Sequence, residues 1–113
     1  MAERFYCGEG PGQVTVREEG EKRPLDPRLD LQKLSSTGFA WGDGSNSAGP
    51  AQQLALALLA DALRNDARAS RLHQEFKRRV VTLFPKRWTI TRSRILDYAD
   101  LIEHPALASE DGE

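Results

Sequence analysis

The sequence predicts an α+β domain, with a small N-terminal antiparallel sheet of two to three strands packed on about three helices. Three observations predict it. Two short runs near the N-terminus, one aromatic and one alternating apolar with polar side chains, flank a glycine-rich turn. Three later stretches are rich in apolar residues at helical spacing, each bounded by proline or a capping residue. The chain has 113 residues, enough for one domain around one core.

The elements follow in order. Arg4-Phe5-Tyr6-Cys7 is a short aromatic strand, with Cys7 as a small core residue. Gly8-Glu9-Gly10-Pro11-Gly12 is a turn, and Gln13 to Glu18 alternates as a half-buried strand does. Residues 19–23 read as a solvated turn. Pro24 and Pro27 exclude a regular central strand, but Leu25, Leu29 and Leu31 are expected to pin that segment to the core. Gly38-Phe39-Ala40-Trp41-Gly42 reads as a third strand. Pro50 suits the first position of a helix running to about Arg64, because its missing N–H costs nothing there. Leu54, Leu56, Leu58, Leu59 and Leu63 leave that helix little polar surface, so it belongs at the centre. Asn65 or Asp66 caps a second helix reaching about Leu83, with a core stripe of Ala69, Leu72, Phe76, Val80 and Leu83. Pro85 ends it. Thr91 caps a third helix, striped by Ile95, Tyr98, Ala99 and Ile102 and closed by Pro105. Residues 1–105 are thus expected to form one domain, and 106–113 a disordered acidic tail.

The net charge is −1, but its distribution is uneven. Residues 1–63 sum to −3, residues 64–94 to +8 and residues 95–113 to −6. A local field of this kind attracts a charged partner where the net charge does not. One cysteine excludes an internal disulfide. Met1-Ala2-Glu3-Arg4 lacks the basic-then-apolar order of a secretory leader. The longest apolar run, Leu54 to Ala60, is far short of the roughly 20 residues that span a bilayer. A soluble, cytoplasmic protein with no membrane partner is the expectation.

Three segments carry a resemblance: Arg23 to Leu31, then Thr37-Gly38-Phe39-Ala40-Trp41-Gly42, then Gly49-Pro50-Ala51-Gln52 leading into Leu54 to Leu59. With Phe76-Lys77-Arg78-Arg79-Val80 they resemble a family of small uncharacterised domains from bacterial, plasmid and phage genomes, a domain of unknown function. That family carries Gly-Phe-x-Trp-Gly, a glycine-rich loop and a Gly-Pro-Ala-Gln helix start. Asp43 stands where the family has tyrosine, and Leu34-Ser35-Ser36 where it often has His-Ser-Pro. The resemblance implies a fold and a phage or mobile-element setting rather than a reaction.

Four features are candidate sites. The loop at 42–49 feeds a helix N-terminus, where free N–H groups and the helix dipole suit an anion. Trp41, Gly42, Gly44, Ser47, Gly49 and Gln52 are its candidate residues for a small anionic ligand. Pro50-Ala51 stands where a nucleotide-hydrolysing loop needs lysine and a hydroxyl, so the loop is not one of those. The same residues also make a tight structural connection. Trp41 either stacks on a ligand or packs in the core with its N–H satisfied. Arg68, Arg71 and Arg78 share a helical face, and Arg79, Lys86 and Arg87 extend it, a composition suited to phosphates or an acidic partner. The alternative is a solvated face partly neutralised by the acidic third helix and tail. Asp97, Asp100 and Glu103 form the fourth feature, an acidic face able to mimic a phosphate backbone or simply to be solvated.

No metal-ligand spacing, nucleophile elbow or cofactor motif occurs, so neither a metal nor a cofactor is expected. The expectation is a non-enzymatic binding protein that modulates a host defence system through a small anionic ligand or a host protein. The alternatives are a nucleic-acid accessory protein acting through residues 64–94, and an interaction domain without a ligand.

Overall fold

The computed structural model describes residues 3–9, 12–35, 38–42 and 49–104. Strand β1 (Phe5–Gly8) and strand β2 (Val14–Glu18) pair antiparallel, as their alternation predicts. Strand β3 (Glu21–Pro24) follows across a two-residue turn. Glu19 and Gly20 both have positive φ, 53° and 82°, which matches the twist of a tight hairpin. Residues 19–23 are therefore a turn and most of a strand, not a turn alone. All four β3 residues are exposed, so no alternation in the sequence announced them. Strand β4 (Trp88–Thr91) joins the other side of β1 and gives the order β3-β2-β1-β4. Among the described residues the sheet thus has four strands, one of them from the C-terminal half.

Gly38–Gly42 forms no strand. This segment runs irregularly along the link into β4, where the Gly42 N–H donates to the Val81 carbonyl at 3.1 Å. Of the leucines expected to pin residues 24–31, Leu25 is buried and Leu31 packs on the core, but Leu29 is 47% exposed.

Helix α1 (Gly49–Leu63) is buried almost all round, so it sits at the centre as its composition requires. Helix α2 (Asp66–Arg79) is capped by Asn65, whose side chain accepts from the Arg68 N–H. It ends earlier than its apolar stripe, and Val81–Leu83 continue as a 3₁₀ turn that leaves Leu83 74% exposed. Helix α3 (Arg92–Glu103) is capped by Thr91, which accepts from the Arg94 N–H. The sheet's inner row, Arg23–Val16–Tyr6–Ile90, faces the helices. Its outer row, Pro24–Thr15–Cys7–Thr89, faces away, and buried Cys7 lies on that side beneath the Thr89 hydroxyl. Gly8 is required by packing. A side chain there would meet the Trp88 indole at 2.2 Å. The tail at 106–113 lies outside the described residues.

Candidate functional site

The start of α1 was the first candidate. A Cβ at Gly49 would lie 2.1 Å from the Leu34 carbonyl oxygen, so only glycine lets that carbonyl reach the first turn. One turn on, Gln53 is 1% exposed and makes four hydrogen bonds. Its Oε1 accepts from the Leu34 and Ser35 N–H groups at 2.7 and 3.1 Å. Its Nε2 donates to the Pro27 and Gln32 carbonyls at 2.7 and 3.0 Å. The first turn of α1 is therefore packed closely against the Leu34 backbone, and the Gln53 side chain ties the segment at 27–35 to it. Trp41 donates its indole N–H to the Lys86 carbonyl at 3.1 Å, and Gln52 reaches His73 Nδ1 at 3.3 Å. Trp41, Gly42, Gly49 and Gln52 thus engage different parts of the chain. Gly44 and Ser47 lie outside the described residues.

His73 is buried against Gln52, and burial, then the Lys77 charge, pushes its imidazole below the ordinary value of 6.5. Below the ordinary imidazole value the unfolded chain therefore takes up this proton more readily than the folded chain. The contribution of His73 to stability is expected to be full above about pH 6.5 and to be lost as pH falls below it. A melting curve series should show that decline, and His73→Met should flatten it. An unchanged slope in the variant would rule this origin out.

The arginine face of α2 meets carboxylates. Arg68 Nε donates to Glu103 at 2.8 Å and its Nη2 to Asp100 at 3.1 Å. Arg71 also reaches Glu103, at 3.2 Å. Arg78 and Arg79 both pair with Glu75. The Arg68 hydrogen bond, ahead of burial's opposing effect, holds the Glu103 carboxyl below its usual range. Two of the acidic residues expected to form a mimic, Asp100 and Glu103, are thereby engaged within the fold.

A polar cluster that sequence reasoning missed sits under the sheet. Asp61, on α1, accepts from the Tyr6 hydroxyl at 2.7 Å, from Arg4 at 3.1 Å and from Arg23 at 3.1 Å. Arg4 is 6% exposed and also pairs with Glu18 at 2.9 Å. Burial raises the Tyr6 hydroxyl far above its ordinary value, and the Asp61 charge adds to this. Burial also opposes ionisation of Asp61, but the bonds from Tyr6 and Arg23 outweigh it and hold the carboxyl low. A lone acid in the apolar run that follows Gln53 in α1 was the available signal.

A groove of about 620 Å³ runs beside β4. Leu83, Phe84, Trp88, Ile90 and Tyr98 contribute its apolar lining, and Arg79, Arg87 and Arg94 its charge. Among the described residues no carboxylate lines it. Its aromatic side is braced, with Phe84 stacked on Trp88 at 4.2 Å and Trp41 edge-on to Trp88 at 5.5 Å. Arg94 lies over the Tyr98 ring at 5.7 Å. Lys86 and Arg87 are exposed at the entrance to β4. Arg87 and Arg94 form no ion pair among the described residues. Among those residues no metal-holding cluster of His, Cys, Asp and Glu occurs, and no helix is long and apolar enough to cross a membrane.

The family of unknown function DUF6166 matches residues 6–101. The chain belongs to this family. No curated protein and no solved structure matches it. The DUF6166 match begins at Tyr6 in β1 and ends in α3, so it takes in Asp61, Gln53 and the whole β4 groove.

Proposed function

We propose that the protein is a non-enzymatic binding module that captures an acidic protein segment in the groove beside β4. The observation that supports this reading is the pairing of an apolar, aromatic floor with Arg87 and Arg94, which form no ion pair among the described residues, and with no carboxylate among the described residues of the lining; the third arginine, Arg79, is held by Glu75. Aromatic and arginine side chains are enriched where binding energy concentrates. Nucleic-acid contact through the α2 arginines is the weaker reading, because Arg68, Arg71, Arg78 and Arg79 each already face a carboxylate. A role on a phage or mobile element, acting on a host defence protein, is part of the proposal and rests on the resemblance described above, and its cytoplasmic setting rests on the single cysteine.

The test uses fluorescence anisotropy with a labelled, alternating Glu–Val peptide of about eight residues, long enough to lie along a strand. The peptide should bind. Arg87→Glu with Arg94→Glu should weaken it about tenfold, by placing like charges against it. A labelled oligothymidylate that binds instead, with affinity falling steeply in salt, would transfer the groove to the nucleic-acid reading. Binding of neither probe rejects the groove as a recognition site.

A further inference from the structure

We infer that the acidic segment binds by strand addition, as a fifth strand on the open edge of β4; this deepens the proposal above and rests on it. The backbone pattern supplies the argument. In an antiparallel ladder, hydrogen-bonded pairs alternate with non-bonded ones. The Arg92 N–H donates to the Arg4 carbonyl at 2.9 Å, which makes Arg4–Arg92 a bonded pair. The register then makes Tyr6–Ile90 and Gly8–Trp88 bonded pairs too, and leaves Phe5–Thr91 and Cys7–Thr89 unbonded. On the other side of β1 the Glu9 N–H donates to the Gln13 carbonyl at 3.0 Å, so odd-numbered residues serve β2 and even-numbered ones serve β4. The Thr89 N–H and C=O therefore point away from β1, and so does the Thr91 N–H. The Thr91 carbonyl belongs to the first turn of α3, as an N-cap carbonyl does.

The outward side of β4 has no strand beside it among the described residues, and Trp88, Thr89, Ile90 and Thr91 all line the groove. The two edges of the sheet are unlike. β3 carries Glu21, Lys22, Arg23 and a terminal Pro24, the charges and proline that discourage pairing. β4 reads Trp-Thr-Ile-Thr and carries neither. An added strand sends alternate side chains to opposite faces. Those on the helix side meet Leu83, Phe84, Trp88 and Tyr98. Arg87 borders both the groove and the hollow on the outer face that Cys7, Glu9 and Arg17 also line, so two arginines against one carboxylate meet acidic side chains on the other side. Charge complementarity thus selects an extended, acidic partner segment.

Thr89→Pro tests the mode. It removes an outward N–H that the ladder to β1 does not use, and proline is tolerated at such an edge position. The variant should melt within about 4 °C of wild type and bind the Glu–Val peptide about tenfold more weakly, having lost one backbone hydrogen bond and gained a clash. Full binding by Thr89→Pro, with binding still lost in the Arg87→Glu/Arg94→Glu variant, overturns strand addition and leaves acidic capture standing. No peptide binding by the wild type overturns both. Should Thr89→Pro fail to fold, wild-type protein and N-methylated peptides decide. Methylation at one alternate set of peptide residues should abolish binding and at the other set spare it. Equal effects of the two sets overturn the inference.

Discussion

Asp61→Ala should lower the stability by about 3–5 kcal/mol in urea or guanidinium unfolding. The size comes from what it leaves behind. Arg4 is almost fully buried, and Asp61 is one of its two carboxylate partners, the other being half-exposed Glu18. The Tyr6 hydroxyl, also buried, loses its acceptor at the same time. Arg4 then keeps only Glu18 and the backbone carbonyl at 61, and a buried charge stripped of one partner is costlier than the pair is favourable, because desolvation has already been incurred. The companion variant therefore carries information. Arg4→Met with Asp61→Leu removes both charges and should recover stability relative to Asp61→Ala. A loss under about 1 kcal/mol for Asp61→Ala would show that water reaches Arg4 and that the cluster is not a buried one. The same network sets an acid limit. Asp61 is held below its ordinary value of 3.8, so its contribution is full above that pH and is lost as pH falls through the lower folded value.

Gln53→Leu should cost about 3–4 kcal/mol, although it replaces a buried amide with an apolar residue of similar volume. The leucine suits the core. The loss arises in the segment that Gln53 holds, where the Leu34 N–H and the Pro27 and Gln32 carbonyls give up their partner. Each buried group left without a hydrogen bond costs about 1–3 kcal/mol, reduced where water enters. Urea unfolding measures the total, and hydrogen exchange at Leu34 reports the local release. Gln53→Glu separates shape from chemistry. It keeps the acceptor but sets a second oxygen against two carbonyls, so it should be no better than leucine. A cost below about 1 kcal/mol for Gln53→Leu would mean that the segment at 27–35 is held by its leucines alone.

Much of the fold was legible because its signals are local. The alternation in Val14–Glu18, the leucines of α1 and the caps Asn65 and Thr91 each act within a few residues, and each appears where expected. The errors also have local causes. β3 is wholly exposed and so leaves no apolar pattern, and α2 stops short of its stripe at Arg79. Gly38–Gly42 looked like a strand because its aromatic residues do pack, but they pack as single anchors: Trp41 on Trp88 and Phe39 against the core. The arginines were visible and their partners were not, since Glu103 lies 35 residues from Arg68 and pairs with it only across the α2–α3 contact.

The sequence by itself determined the class, the central helix and the helix boundaries near their caps, because hydrophobic period and capping are properties of short windows. Only the tertiary structure decided which charges are neutralised and which remain open. Ion pairs, a strand order that brings Trp88–Thr91 beside Phe5–Gly8, and a groove left along the free edge are all consequences of distant segments meeting. Coulomb attraction and backbone pairing act over a few ångströms of space, whatever the separation along the chain.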